Sequence, residues 1–162
     1  TENRRTPVGG SVTLAAKVRD LTSFLVHDAQ LQPGALKGDA QEPIVYHDSC
    51  QGLNALGLET EPKYLLREVM GMAVEPLTEN RFCCGFGGSF GFDYPEVSER
   101  LMNRKLDYAA ATGAKRMVTD NQGCIMHLRG GCDAGQRPMT ISHIAELIAH
   151  RIREKQRTLA SR

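Results

Sequence analysis

The spacing of apolar residues along this chain changes several times, and each change marks an element. From Val12 to Val26, Leu14, Val18, Leu21 and Leu25 recur at helical spacing, which predicts an amphipathic helix with Ser11 placed to cap its first turn. Residues 1–11 before it are polar and Gly-containing and read as loose, and residues 32–43 carry the Pro, Gly and Asp of a surface connection. Ile44-Val45-Tyr46 is a short β-prone run, and Pro62 opens a helix carrying Leu65, Leu66 and Val69. Met72-Ala73-Val74 is a weaker strand, followed by a loop through Cys83-Cys84. Pro95 sits in the first turn of the longest helix, whose apolar side uses Val97, Leu101, Met102, Leu106 and Ala109 and whose stop is Gly113. Arg116-Met117-Val118-Thr119 reads as a strand leading into the loop Asp120-Asn121-Gln122-Gly123-Cys124. A last strand, Met139-Thr140-Ile141, runs through Ser142-His143 into a helix with Ile144, Leu147, Ile148 and Ile152.

Short strands alternating with helices predict the α/β class, with right-handed crossovers and a small parallel sheet carrying helices on both faces. In such sheets the loops at the carboxyl ends of the strands form the binding crevice. Cys50 follows the first strand, Cys83 and Cys84 the second and Cys124 the third, while His143 ends the fourth. Residues far apart in sequence are thereby expected at one sheet edge.

Composition narrows the function. The 162 residues, 41% hydrophobic and 24% charged, have the length and apolar content of one packed core. Twenty Lys and Arg against 19 Asp and Glu leave a net charge of +1, without the basic field that nucleic acid or an anionic membrane attracts. No stretch approaches the roughly 20 apolar residues of a membrane span, and Thr1-Glu2-Asn3-Arg4-Arg5 lacks the apolar core of a secretory signal. A soluble, cytoplasmic chain is expected. Because it begins with Thr rather than Met, it reads as a processed chain or a piece of a longer one.

The five cysteines are Cys50, Cys83, Cys84, Cys124 and Cys132. An odd number, with two adjacent, fits a metal or redox site in a reducing compartment better than a disulfide framework. Consecutive side chains of an extended segment point to opposite sides, so Cys83-Cys84 is a poor way to fill a core. Soft thiolates select zinc or an iron-sulfur cluster. Zinc would take four ligands from Cys50, Cys83, Cys84, Cys124 and a histidine, His47 or His127, although no Cys-x-x-Cys knuckle is present. Gly85, Gly87 and Gly88 would let the backbone approach a larger cofactor and donate N–H groups to its sulfides, which favours a cluster.

Several motifs occur together in one order: His47-Asp48-Ser49-Cys50, Phe82-Cys83-Cys84-Gly85-Phe86-Gly87-Gly88-Ser89-Phe90, Tyr94-Pro95-Glu96-Val97-Ser98, Gly123-Cys124-Ile125-Met126-His127 and His143-Ile144-Ala145-Glu146-Leu147. Over roughly residues 43–149 they resemble the cysteine-rich, or CCG, domain family. That domain occurs in iron-sulfur proteins of lactate utilisation and lactate oxidation, which this chain resembles most, in the iron-sulfur subunit of glycolate oxidase and in heterodisulfide reductase. The resemblance implies a [4Fe-4S] cluster, or alternatively zinc, held by Cys50, Cys83, Cys84 and Cys124. It also implies electron transfer within an oxidoreductase acting on L-lactate or a related 2-hydroxy acid, with other iron-sulfur or flavin subunits as partners. The family's fullest pattern closes in Cys-x-x-Cys, whereas this chain has His127 at the last position. Family chains usually carry two such units. Residues 43–162 therefore read as the second unit, preceded by an N-terminal segment, 1–42.

Other signals are weaker. Gly87-Gly88-Ser89-Phe90-Gly91 satisfies the Gly-x-Ser-x-Gly nucleophile pattern, with Asp120 and His143 following in α/β-hydrolase order, but the flanking strand and helix it needs are missing. His143 is expected either to donate to a cluster sulfur or to cap the final helix, and His127 to pack beside the site. His27 and His150 read as ordinary surface residues. Cys132 reads as a free thiol, and Gly130-Gly131 as a break in the helix that precedes it. The basic run Arg151, Arg153, Lys155, Arg157 suits a solvated helix C-terminus.

Overall fold

The structure is a computed structural model that describes residues 9–38 and 42–161, with the backbone alone for 9–11. Most of the loose N-terminal stretch, and residues 39–41 of the connection, lie outside the described residues.

Four strands, β1 (Ile44–Tyr46), β2 (Val74–Glu75), β3 (Arg116–Thr119) and β4 (Thr140–His143), form one all-parallel sheet in the order β2-β1-β3-β4. Ile44 pairs with Val74 on one side and Arg116 on the other, and Arg116 pairs with Thr140. Period-two alternation divides the core. Val45, Met117 and Ile141 face one layer; Ile44, Tyr46 and Val118 face the other. The first layer is α5 (Pro95–Ala111) and α6 (Gln122–Ala134), contributing Met102, Leu106, Ala109, Ile125 and Leu128. The second combines α3 (Glu61–Tyr64), which runs on as a π-helical turn over Leu65–Val69, with α7 (Ile144–Ala160), through Leu65, Leu66, Val69, Ile144 and Ile148. The expected α/β architecture, with a parallel sheet covered on both faces, is therefore the observed one.

The predicted N-terminal helix is broken in two. Helix α1 (Gly9–Ala15) already includes Ser11, which is therefore inside the helix rather than its cap. The chain leaves the helix at Ala16 and re-enters at α2 (Leu21–Ser23), which continues as a π-helical turn over Phe24–Asp28. Asp20 causes the restart: its carboxylate accepts from the backbone N–H groups of Thr22 at 2.7 Å and Ser23 at 3.4 Å. Val12, Leu14 and Val18 are exposed, so no buried stripe holds the segment in a single helix.

Three further expectations shift. The second strand starts two residues late, at Val74, because the Met72 N–H is engaged with the Leu66 carbonyl at the helix exit, 2.8 Å away. The buried stripe of α5 is Ser98, Met102, Lys105, Leu106 and Ala109, which leaves Val97 exposed. Gly130-Gly131 does not break α6. A Cβ on Gly131 would lie 2.4 Å from Met102 Sδ, so the glycine serves the close crossing of α6 over α5.

Candidate metal centre

The strand order reverses between β1 and β3, so their following loops diverge and leave a crevice at their carboxyl ends. A cleft of about 560 Å³ opens there, within the usual range for ligand pockets. Cys50, Cys83, Cys84 and Cys124 all line it, together with Gly87, Gly88, Phe86 and Asp120.

Local chemistry fixes each loop. Beyond β1, the Ser49 hydroxyl accepts from the Gly52 N–H at 2.9 Å, turning the chain at Cys50 into a π-helical turn over Gly52–Leu56 that the apolar pattern does not announce. Beyond β3, Asn121 caps α6 by accepting from the Cys124 N–H at 3.0 Å, and its amide donates to Gln51 Oε1 at 2.6 Å, tying two cysteine loops together. Cys124 thus stands on the first helical turn rather than in a loop, at the positive end of a 13-residue helix. Beyond β2, Asn80 clamps the Cys83-Cys84 loop to β1: its side chain accepts from the Asp48 N–H at 3.0 Å and donates to Asp48 Oδ2 at 3.0 Å. Lys63 donates to the same oxygen at 2.7 Å.

The cysteines differ in depth. Cys50 is exposed, Cys83 half-buried, and Cys84 and Cys124 buried, with 3.1 Å between the last two sulfurs. The Gly85 N–H donates to Cys83 Sγ at 3.3 Å. Gly85 has φ +98°, and a Cβ there would meet the Ser98 carbonyl oxygen at 2.4 Å, so its smallness serves packing on α5 while Gly87 and Gly88 line the cleft. The hydrogen bond to Cys124 pushes the Cys84 thiol from 9.0 up to about 12, with burial adding to it. Cys83 is raised chiefly by its hydrogen bond with Cys84 and by burial. The metal-free protein is therefore expected to lose stability as pH rises through the range from 9 to about 12, where the unfolded chain releases thiol protons that the folded one keeps. Thermal melts across that range check this, and Cys84→Ser should flatten the slope.

His47, at the end of β1, is 1% exposed, and neither ring nitrogen has a hydrogen-bond partner. Burial, reinforced by the Lys105 charge, lowers its pKa to about 3, so the ring is neutral. Its donor atom and the sulfurs of Cys84 and Cys124 all lie within 4.8 Å of one another. The two other candidate histidines are engaged elsewhere. His127 Nε2 is 3.2 Å from Ser98 Oγ, with its ring against Phe86. His143 caps α7 by accepting from the Ala145 N–H at 3.0 Å, and its Nε2 donates to the Asp120 carbonyl at 2.9 Å. That resolves its expected role in favour of the cap, and it also uses both nitrogens that a Ser89 relay would need. Ser89 itself is exposed at the start of α4 (Phe90–Asp93). Cys132 is buried in the layer of α5 and α6, away from the cleft lining.

Lys105 is a residue of the site that the cysteine motifs do not mark. It is 1% exposed, and its ammonium donates to the carbonyls of Glu79 at 2.8 Å and Asn80 at 2.9 Å, which pins the cysteine loop from beneath. Burial lowers its pKa to about 8, against the opposing pull of Cys84 and Glu79. Its spacing from Ser98, Met102 and Ala109 is the available signal, since it puts a lysine on the buried stripe.

Residues 44–129 match the sequence profile of the cysteine-rich domain, CCG. The chain is 33% identical to lactate utilization protein A 2 of Bacillus cereus over 139 residues, 86% of this chain and 57% of that protein. Over 137 residues it is 34% identical to lactate utilization protein A of Shouchella clausii, 83% of this chain and 56% of that protein. Against lactate utilization protein A of Halalkalibacterium halodurans it is 31% identical over 143 residues, 88% and 58% respectively. The chain thus spans somewhat over half the length of these relatives. Among the described residues no helix is long and apolar enough to cross a membrane. With the profile covering more than half of the sequence, and its cysteine motifs lying on the loops that meet at the cleft, this chain belongs to the cysteine-rich (CCG) domain family.

Proposed function

We propose that this chain is the cluster-binding unit of a cytoplasmic iron-sulfur protein that relays electrons during oxidation of L-lactate or a related 2-hydroxy acid. The observation that supports it most is the meeting of Cys50, Cys83, Cys84 and Cys124 on one cleft beyond three parallel strands. The relatives' name, lactate utilization protein A, supports the substrate class.

The donor set fits a [4Fe-4S] group: four soft sulfurs, a cleft with room for several atoms, and glycines on its wall. When bound, the cluster supplies one-electron redox chemistry, at a potential set by its ligands, by hydrogen bonds to sulfur and by exposure. The residues of the chain do the rest. In this reading the thiols of Cys83 and Cys84 give up their protons on loading, so uptake weakens as pH falls. The Gly85 N–H stabilises the sulfur of Cys83, and the Lys105 ammonium holds the loop and offsets negative charge. Burial of Cys84 and Cys124 keeps water from the inner end, while exposed Cys50 leaves an outer edge for an electron-transfer partner. The flavin and the hydroxy-acid pocket belong to other subunits.

A single zinc ion is the second reading, favoured by the closeness of the His47, Cys84 and Cys124 donors. Anaerobic purification with iron, sulfide and zinc analysis separates the two. About four irons and four sulfides per chain are expected, with lactate-dependent bleaching of the cluster in the intact system. Stoichiometric zinc without sulfide would overturn the electron-relay reading.

A further inference from the structure

Beside the buried sulfurs of Cys84 and Cys124 lies a histidine, His47, neither of whose ring nitrogens finds a partner among the described residues. The His47 backbone is fixed, its N–H donating to the Val118 carbonyl at 2.8 Å in continuation of the β1–β3 ladder. The ring is 1% exposed and both nitrogens lack partners. Burying a polar group without a hydrogen bond is costly, and a core position would ordinarily be filled by an apolar side chain. The same ring lies with Cys84 and Cys124 in a buried group of donor atoms, all within 4.8 Å of one another.

Resting on the reading of this cleft as a thiolate metal site, we propose that His47 is itself a ligand: a ring nitrogen binds the metal centre that Cys84 and Cys124 help to hold. Metal-bound histidines ordinarily offer the other N–H to a carbonyl, carboxylate or water. A neutral imidazole carries one N–H and one lone pair, and neither ring nitrogen is engaged by another described residue. Moreover, the two sulfurs are close enough to belong to one metal centre. Bonds of about 2.3 Å in tetrahedral geometry put two sulfurs about 3.8 Å apart, against the 3.1 Å between Cys84 and Cys124.

Cobalt(II) alone is the probe, because its d–d and sulfur-to-cobalt charge-transfer bands report the donor set whichever metal the protein uses. The wild type, His47→Leu and His47→Cys are titrated anaerobically, with folding of the metal-free forms checked by circular dichroism. His47→Leu should bind Co²⁺ at least about 100-fold more weakly, beyond the 10–100-fold typical of losing a group that only supports a ligand. His47→Cys should recover binding and add one thiolate's share of charge-transfer absorption. If His47→Leu keeps wild-type affinity and d–d bands, His47 is not a ligand. If His47→Cys binds without the added thiolate band, the residue only positions the sulfurs, and ligation is likewise overturned. Should His47→Leu fail to fold, the band of His47→Cys decides alone. A wild type that takes up Co²⁺ but no iron and sulfide would overturn the iron-sulfur reading and leave this test intact, whereas one that binds no Co²⁺ would overturn His47 as a ligand.

Discussion

Cys84→Ser is expected to lose most of its iron and acid-labile sulfide, and Cys132→Ser to retain the wild-type content. Cys84 is 1% exposed, with its sulfur 3.1 Å from that of Cys124 at the inner end of the cleft. A serine hydroxyl there is a hard donor and a poor replacement for thiolate on iron. Cys132 lies eight residues further along α6 than Cys124, a helical rise of about 12 Å, and packs in the layer with Met102 and Ile141. Placing a hydroxyl in that layer should cost about 1–2 kcal/mol of stability without touching the site. Iron and sulfide analysis of both variants, beside their melting temperatures, checks the pair. The reverse pattern, with Cys132→Ser emptied and Cys84→Ser loaded, would sink the ligand assignment.

Lys105→Met should destabilise the metal-free protein by about 2 kcal/mol and loosen the cysteine loop. The ammonium holds two carbonyls of the loop, those of Glu79 and Asn80, at 2.8 and 2.9 Å. Met keeps the apolar stem but leaves both acceptors without that donor. A bond to a charged group is worth about 1.5–3 kcal/mol, and the relieved burial of the charge offsets part of the loss, hence the intermediate figure. Urea denaturation measures the stability change. Faster amide exchange confined to residues 79–86 would show that the loop, rather than the sheet, takes up the damage, whereas an unchanged exchange pattern would refute the pinning role.

The layered plan and the convergence of four cysteines on one cleft were legible in residue order. Strand runs such as Ile44-Val45-Tyr46 and Arg116-Met117-Val118-Thr119 could be read because a short β-prone run between breakers has few alternative structures. Once the elements alternate, parallel pairing puts every strand end on one edge, so the meeting of Cys50, Cys83, Cys84 and Cys124 follows from order alone. What periodicity could not carry was anything decided by a partner distant in sequence. The break at Ala16–Asp20 reflects an exposed apolar stripe with no surface to bury against, and Gly131 became a packing contact because Met102 approaches it from α5. Likewise His47, His127 and His143 were equivalent candidates as residue types. Their separation into an unpartnered ring beside two sulfurs, a ring held by Ser98 and a helix cap depends on which polar atoms each meets across the fold. Lys105 makes the same point: a lysine on an apolar stripe is anomalous in sequence, and only the loop carbonyls brought above it by tertiary packing give the buried charge its partners.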